Sequence, residues 1–201
     1  MVYVLLFLYA KLLNKKRIVI TGGPGTGKTV LISSLEENGF YCFHEVIRTM
    51  TLEALNGKEF TDELVNPIAF VNDSKSFNDQ LLNARLNHFI EAKALEEKHV
   101  FYDRGLPDVL AYMDYFKQSY DQGFIDICTE NRYDQVLILP PWEAIYVQDN
   151  ERMEDFKQSC DIHDHLEAKY TELGYNPIEV PFGPIEERMR FVLQLIDETG
   201  G

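Results

Sequence analysis

Eight consecutive residues, Gly22-Gly23-Pro24-Gly25-Thr26-Gly27-Lys28-Thr29, constrain this chain more than any other stretch. They obey the pattern G-x-x-x-x-G-K-[ST]. They lie between an apolar run, Arg17–Thr21, and a stretch of helical character that reaches Glu37. Strand, glycine-rich turn and helix in that order make a phosphate-binding loop, or P-loop. Glycines let the backbone fold back and approach an anion with no Cβ in the way. The exposed N–H groups then converge on phosphate oxygens, and the helix N-terminus adds the positive end of its dipole. In this pattern Lys28 reaches the β- and γ-phosphates, and Thr29 offers its hydroxyl to Mg²⁺.

The 201 residues favour one domain with room for a full core. A net charge of −14 argues against broad nucleic-acid binding, which needs a cationic surface. Cys42, Cys128 and Cys160 form no C-x-x-C pair, so neither a disulfide framework nor a zinc site is expected, and a cytoplasmic setting is the simplest. The first residues, Met1–Leu13, are strongly apolar but short of the roughly 20 that span a bilayer. We read residues 1–16 as an accessory extension and 17–201 as the P-loop domain. Membrane-surface contact and an upstream start codon are the alternatives for the extension.

Short apolar strands alternate with helical patterns, which signals an α/β fold: a five-stranded, mostly parallel sheet flanked by helices. The expected strands are Arg17–Thr21, Tyr41–His44, His99–Tyr102, Gln135–Leu139 and Pro177–Val180. Helices are expected over Thr29–Glu37, Glu45–Leu55, Phe77–Glu97, Pro107–Tyr120, Glu154–Leu173 and from Pro184 to Asp197. Lys58–Asp73 reads as a loop with a short helix, and the polar stretch Trp142–Asp155 as a lid.

Ligands of parallel α/β sheets gather outside the carboxyl ends of the strands, which singles out charged residues there. Glu45 follows the second strand and suits a general base or a partner of Mg²⁺ through water. Arg48, one helical turn on, suits an anionic or hydroxylated acceptor. Asp103 ends the third strand, where a carboxylate holds Mg²⁺ or positions a nucleophile. Arg104 offers a planar fork to phosphate or carboxylate. Each has a bland alternative: a solvated helix start for Glu45, a structural ion pair for Asp103 and Arg104. Asp108 reads as a helix-start acid. Arg152, in the expected lid, could stabilise charge on a transferring phosphoryl group or be plain surface. Phe182 and Gly183, in Pro181-Phe182-Gly183, could frame the nucleotide base. His163 and His165, two apart on a helix, do not share a face.

Residues 17–198 resemble a family of P-loop ATPases and kinases, an AAA-domain group related to the ribosylnicotinamide kinase domain of bacterial NAD-biosynthesis regulators. The resemblance rests on Arg17–Thr29, on Glu45-Val46-Ile47-Arg48, on Phe101-Tyr102-Asp103-Arg104-Gly105-Leu106-Pro107-Asp108, and on Gln135–Asp155 with its Pro-Pro-Trp-Glu. It implies a fold similar to nucleoside and nucleotide kinases, with a lid near Arg152. It also implies a nucleotide-binding phosphotransferase or ATPase more firmly than any particular acceptor. A eukaryotic branch of the family is reported to bind GTP and phospholipid.

These readings combine into one expectation: a small kinase-like enzyme using ATP, or GTP, with Mg²⁺ and a small-molecule acceptor. A nucleotide-dependent switch that engages a protein or lipid is the chief rival. The absence of a guanine-reading Asn-Lys-x-Asp disfavours an ordinary small GTPase. A ring-forming motor ATPase would carry Asp-Glu where this chain has Asp103-Arg104.

Overall fold

Alternation along the first strand builds the two halves of the core. Ile18 and Ile20 point to one face and Val19 to the other, all but fully buried. The same period of two recurs in Phe101 against Val100 and Tyr102, and in Leu137 and Leu139 against Val136 and Ile138. A strand apolar on both faces needs helices on both, the signature of a buried parallel sheet.

The computed structural model describes residues 15–47, 74–145 and 156–198. Its strands are β1 (Lys16–Gly22), β2 (Tyr41–Phe43), β3 (His99–Asp103), β4 (Gln135–Leu139) and β5 (Ile178–Glu179). Its helices are α1 (Lys28–Glu37), α2 (Ser74–Glu91), α3 (Leu106–Tyr115), α4 (Gln122–Glu130), α5 (Phe156–Glu172) and α6 (Ile185–Glu198). The sheet order is β2-β3-β1-β4-β5, and every pairing is parallel. Helices α1 and α6 cover one face through Leu31, Ile32, Leu35, Met189, Val192 and Ile196. The other face packs against α2 through Phe77 and Leu81, against α3 through Leu110, and against α5 through Ile162 and Leu166. No helix among the described residues is long and apolar enough to cross a membrane.

The connection leaving β1 runs toward β2, and that leaving β4 runs to its other neighbour β5. β1 and β4 are adjacent, with Gly22 opposite Leu139, so the winding reverses between them. That reversal opens a crevice at the carboxyl ends of the strands.

Strands β2 and β5 are shorter than expected, and three helices depart from expectation. Helix α4 was not anticipated: Asp121 caps it by accepting from the Gly123 amide at 3.0 Å, and Phe124 and Cys128, four apart, bury its inner side. Helix α3 stops at Tyr115, short of Tyr120, because Lys117 turns left-handed at φ 55° and Gln118 N donates back to Met113 O at 2.8 Å. Helix α2 ends at Glu91 and tightens into a 3₁₀ turn, Ala92–Ala94, short of Glu97. The extension up to Asn14, the loop Lys58–Asp73, most of the expected Glu45–Leu55 helix and most of the lid lie outside the described residues, as do Arg48 and Arg152.

Candidate functional site

The loop leaves β1 at the point of reversal and closes on the first residue of α1. Gly27 sits left-handed at φ 86°, immediately before the helix. A Cβ there would come within 2.8 Å of Arg188 Nη1, and one on Gly23 within 2.6 Å of Ser159 O. Only glycine allows the loop to lie this close to α5 and α6.

Lys28 is buried at the heart of this turn. Its Nζ donates to Gly22 O at 2.8 Å and Gly23 O at 2.6 Å. Burial, then the nearby Arg104, brings its pKa down from 10.5 to about 7; Asp103, Asp108 and Glu45 oppose that fall. Burial disfavours the charged ammonium, and a second cation adds to the effect. Thr29 follows on the second residue of α1, exposed to solvent.

One strand over, Asp103 ends β3 opposite Ile20 of β1. Its Oδ1 is buried with no hydrogen-bond partner. Burial, and then Glu45, raise its proton affinity above the usual carboxylate range, against the pull of Lys28, Arg104 and Arg85. Glu45 lies two residues past β2, between two arginines. Its Oε1 accepts from Arg85 Nη2 at 3.0 Å, and its Oε2 lies 2.5 Å from Arg104 Nε. Arg85, from α2, also donates to Gly105 O at 3.0 Å.

Arg104 is left-handed at φ 71°, and its amide donates to Ile20 O at 3.0 Å. Its Nη1 reaches Gly22 O and Asp108 Oδ1, each at 3.4 Å, and its guanidinium lies 5.1 Å from the Tyr112 ring. Asp108 is fully buried. It accepts from Thr21 Oγ1 at 2.5 Å, Gly105 N at 2.9 Å and Tyr170 Oη at 2.6 Å. It is the helix-start acid the sequence suggests, and it also ties the end of β1 to α3 and α5.

The structure therefore brings Gly22–Thr29, Glu45, Asp103 and Arg104 together at one sheet end. Phe182 and Gly183 lie past β5, two strands from β1. There Phe182, 54% exposed, packs on Trp142 with ring centroids 5.5 Å apart. Sequence reasoning passed over Arg85, Ser159, Tyr170 and Arg188. Each is a polar or hydroxyl-bearing residue inside an apolar helical stripe: Arg85 between Leu81 and Phe89, Ser159 and Tyr170 in line with Ile162 and Leu166, Arg188 beside Met189 and Val192. That interruption is the signal that could have found them.

A P-loop at the reversal of a parallel 2-3-1-4-5 sheet, with a carboxylate on the adjoining strand, defines a P-loop fold of the nucleoside- and nucleotide-kinase type. Residues 17–188 match the family model of an AAA domain, and the chain belongs to that family. The fold is similar to a NadR protein in complex with NAD and AMP-PNP: TM-score 0.66, 16% identity, 96% of this chain and 52% of that one. A NadR protein in complex with NR gives TM-score 0.69 at 16% identity, over 96% and 53%. The thymidylate kinase of Candida albicans gives TM-score 0.65 at 14% identity, over 92% of both chains. The chain spans about half the length of the NadR chains it matches. No curated protein matches it in sequence.

Proposed function

We propose that this protein is a small P-loop phosphotransferase that uses ATP and Mg²⁺ and passes a phosphoryl group to a small hydroxylated acceptor. One observation carries the reading. Lys28 is buried in a glycine loop, satisfied by that loop's own carbonyls, with a buried and unpartnered Asp103 oxygen on the adjoining strand. A triphosphate would take over the lysine, and a cation would satisfy the carboxylate.

Oxygen ligands in small number suit Mg²⁺, which keeps several waters and leans on the nucleotide's phosphates. Among the described residues no three His, Cys, Asp or Glu are grouped so as to hold a metal ion by themselves, and a site built from Thr29, Asp103 and phosphate needs no such group. When bound, Mg²⁺ would neutralise negative charge on the phosphates. The chain's own groups do the rest. Amides of Gly22, Gly23, Gly25, Thr26, Gly27, Lys28 and Thr29 would cradle the phosphates, with Pro24 shaping the turn. Lys28 would stay on the transferred group's oxygens as charge builds there.

Glu45 is the candidate base or outer metal partner. Proton acceptance would require Arg85 or Arg104 to release an oxygen, so contact with Mg²⁺ through water is the simpler role. Arg104 and Arg48 would face the acceptor, Arg152 would supply charge from the lid, and Phe182 with Gly183 would border the base. The NadR neighbour's NR complex makes nucleosides the first acceptors to try.

The test is a phosphate-transfer screen against nucleosides, nicotinamide riboside and water, with Mg²⁺ and ATP or GTP. Transfer to an organic hydroxyl is expected. Turnover to water alone would make the protein a hydrolase. No turnover, together with GTP-dependent liposome binding, would favour the switch.

A further inference from the structure

The peptide planes of the phosphate loop are held from outside by two helices. Ser159 of α5, fully buried, donates from Oγ to Pro24 O at 2.7 Å. Arg188 of α6, 5% exposed, donates from Nη2 to Thr26 O at 3.0 Å. Arg188 is an unusual group to bury. Its Nε has no hydrogen-bond partner, burial lowers its proton affinity, and among the described residues no carboxylate pairs with it. An uncompensated interior cation is costly and needs a physical reason to be there.

The geometry of the peptide bond supplies one. All peptide bonds described here are trans, and in a trans peptide the C=O and the following N–H point in opposite directions. Fixing Pro24 O toward α5 turns the Gly25 N–H away from α5. Fixing Thr26 O toward α6 turns the Gly27 N–H away from α6. Neither amide has an acceptor among the described residues. A donor on the carbonyl also polarises the amide and strengthens its N–H, more so when that donor is a guanidinium.

We infer that Ser159 and Arg188 are positioning residues of the phosphate site: each locks one peptide plane of the loop so that Gly25 N–H and Gly27 N–H, respectively, are presented to the polyphosphate. Arg188 also places a fixed positive charge behind the loop, which the phosphates' negative charge offsets. The inference rests on the nucleotide reading above and adds two residues to it, from helices remote in sequence.

The experiment is amide NMR of the full chain labelled with ¹⁵N-glycine, titrated with AMP-PNP and Mg²⁺. In the wild type the Gly25 and Gly27 signals move downfield together. Arg188→Met is expected to lose the Gly27 displacement, keep that of Gly25, and weaken triphosphate binding about tenfold; Ser159→Ala is expected to do the converse at about threefold. A general loosening of the fold would move both glycines alike in either variant, and that result overturns the inference, as does unchanged affinity with both displacements intact. Should Arg188→Met fail to fold, Arg188→Lys, which keeps the positive charge and a donating group on a shorter reach, is expected to retain part of the Gly27 displacement. Loss of the Gly25 and Gly27 displacements alike from Arg188→Lys would overturn the inference. A wild-type protein whose glycines ignore both AMP-PNP and a GTP analogue would refute the nucleotide reading itself, and this inference with it.

Discussion

At the amino ends of the strands an open cavity of about 320 Å³ is lined by Lys16, Arg132, Asp134, Gln135 and Tyr175 among others, while the carboxyl ends hold the phosphate loop. Both ends are rich in charge, and they use it differently. Arg132 donates to Leu173 O at 2.6 Å and Gly174 O at 3.0 Å and stacks 4.2 Å from the Tyr175 ring. It closes the chain just past α5, where helix-end carbonyls lack partners and Gly174 turns left-handed at φ 77°. Asp134 accepts from Arg17 N at 2.8 Å. At the carboxyl end, Lys28 is held by the Gly22 and Gly23 carbonyls and, more distantly, the Thr26 hydroxyl of its own loop, and one Asp103 oxygen is unmatched. A hollow is therefore a poor guide to function here; polar demand left unmet at the switch point is a better one.

Substitutions should divide along the same line. Asp108→Ala should have the largest effect on folding, about 3–5 kcal/mol lost in urea unfolding, because it strands Thr21, Tyr170 and Arg104 in the interior. A loss under 1 kcal/mol would show that the carboxyl-end network is not structural.

Lys28→Ala should lower turnover by about 100- to 1,000-fold, the scale on which a preorganised charge-stabilising donor acts. Its pH signature follows from the lowered pKa of about 7 against the ordinary 10.5. The folded state gives up this proton first. The cost of the buried charge is thus fully present below about pH 7 and is relieved as pH rises from 7 toward 10.5. A bound triphosphate should restore the ammonium, so binding above about pH 7 should take up a proton. Calorimetry in buffers of different ionisation enthalpy reads that uptake, and the Ala variant should lack it.

Asp103→Asn should separate stability from activity. Its carboxyl has a raised folded-state pKa, so the cost to stability is absent below the unfolded value of 3.8, grows as pH rises from there toward the folded pKa, and is fully present above it. The amide should therefore be as stable as the wild type or more so at neutral pH, while the Mg²⁺ needed for half-maximal turnover rises about tenfold. The smallest effect belongs to the other end of the sheet. Arg132→Ala should cost about 1 kcal/mol of stability and leave nucleotide affinity unchanged. A matching loss of nucleotide binding would erase the contrast between the two ends.

Much of this was legible in the sequence, for identifiable reasons. The loop and its flanks obey a local rule, so Gly22–Thr29 and β1 could be placed from pattern and context. β4 was bounded as read, because an apolar run ends at Pro140-Pro141. The sheet-end residues Glu45, Asp103 and Arg104 were placed together because parallel topology sends strand ends to one edge. The sequence did not reveal which partners they would find. The pairing of Glu45 with Arg85 spans 40 positions, and the hold of Arg188 on Thr26 spans 162. Such contacts depend on how helices seat on the sheet, which no local period encodes. Helix α4 was missed because Gly123 and the β-branched Ile125 and Ile127 depress helix propensity, and burial of Phe124 and Cys128 overrides it.

The most direct test is a crystal structure grown with AMP-PNP and Mg²⁺. The account predicts triphosphate density within Gly22–Thr29, with Lys28 Nζ moved from the Gly22 and Gly23 carbonyls onto phosphate oxygens and Asp103 facing the metal. Nucleotide in the amino-end cavity, or a loop still closed on Lys28 at saturating nucleotide, would contradict it.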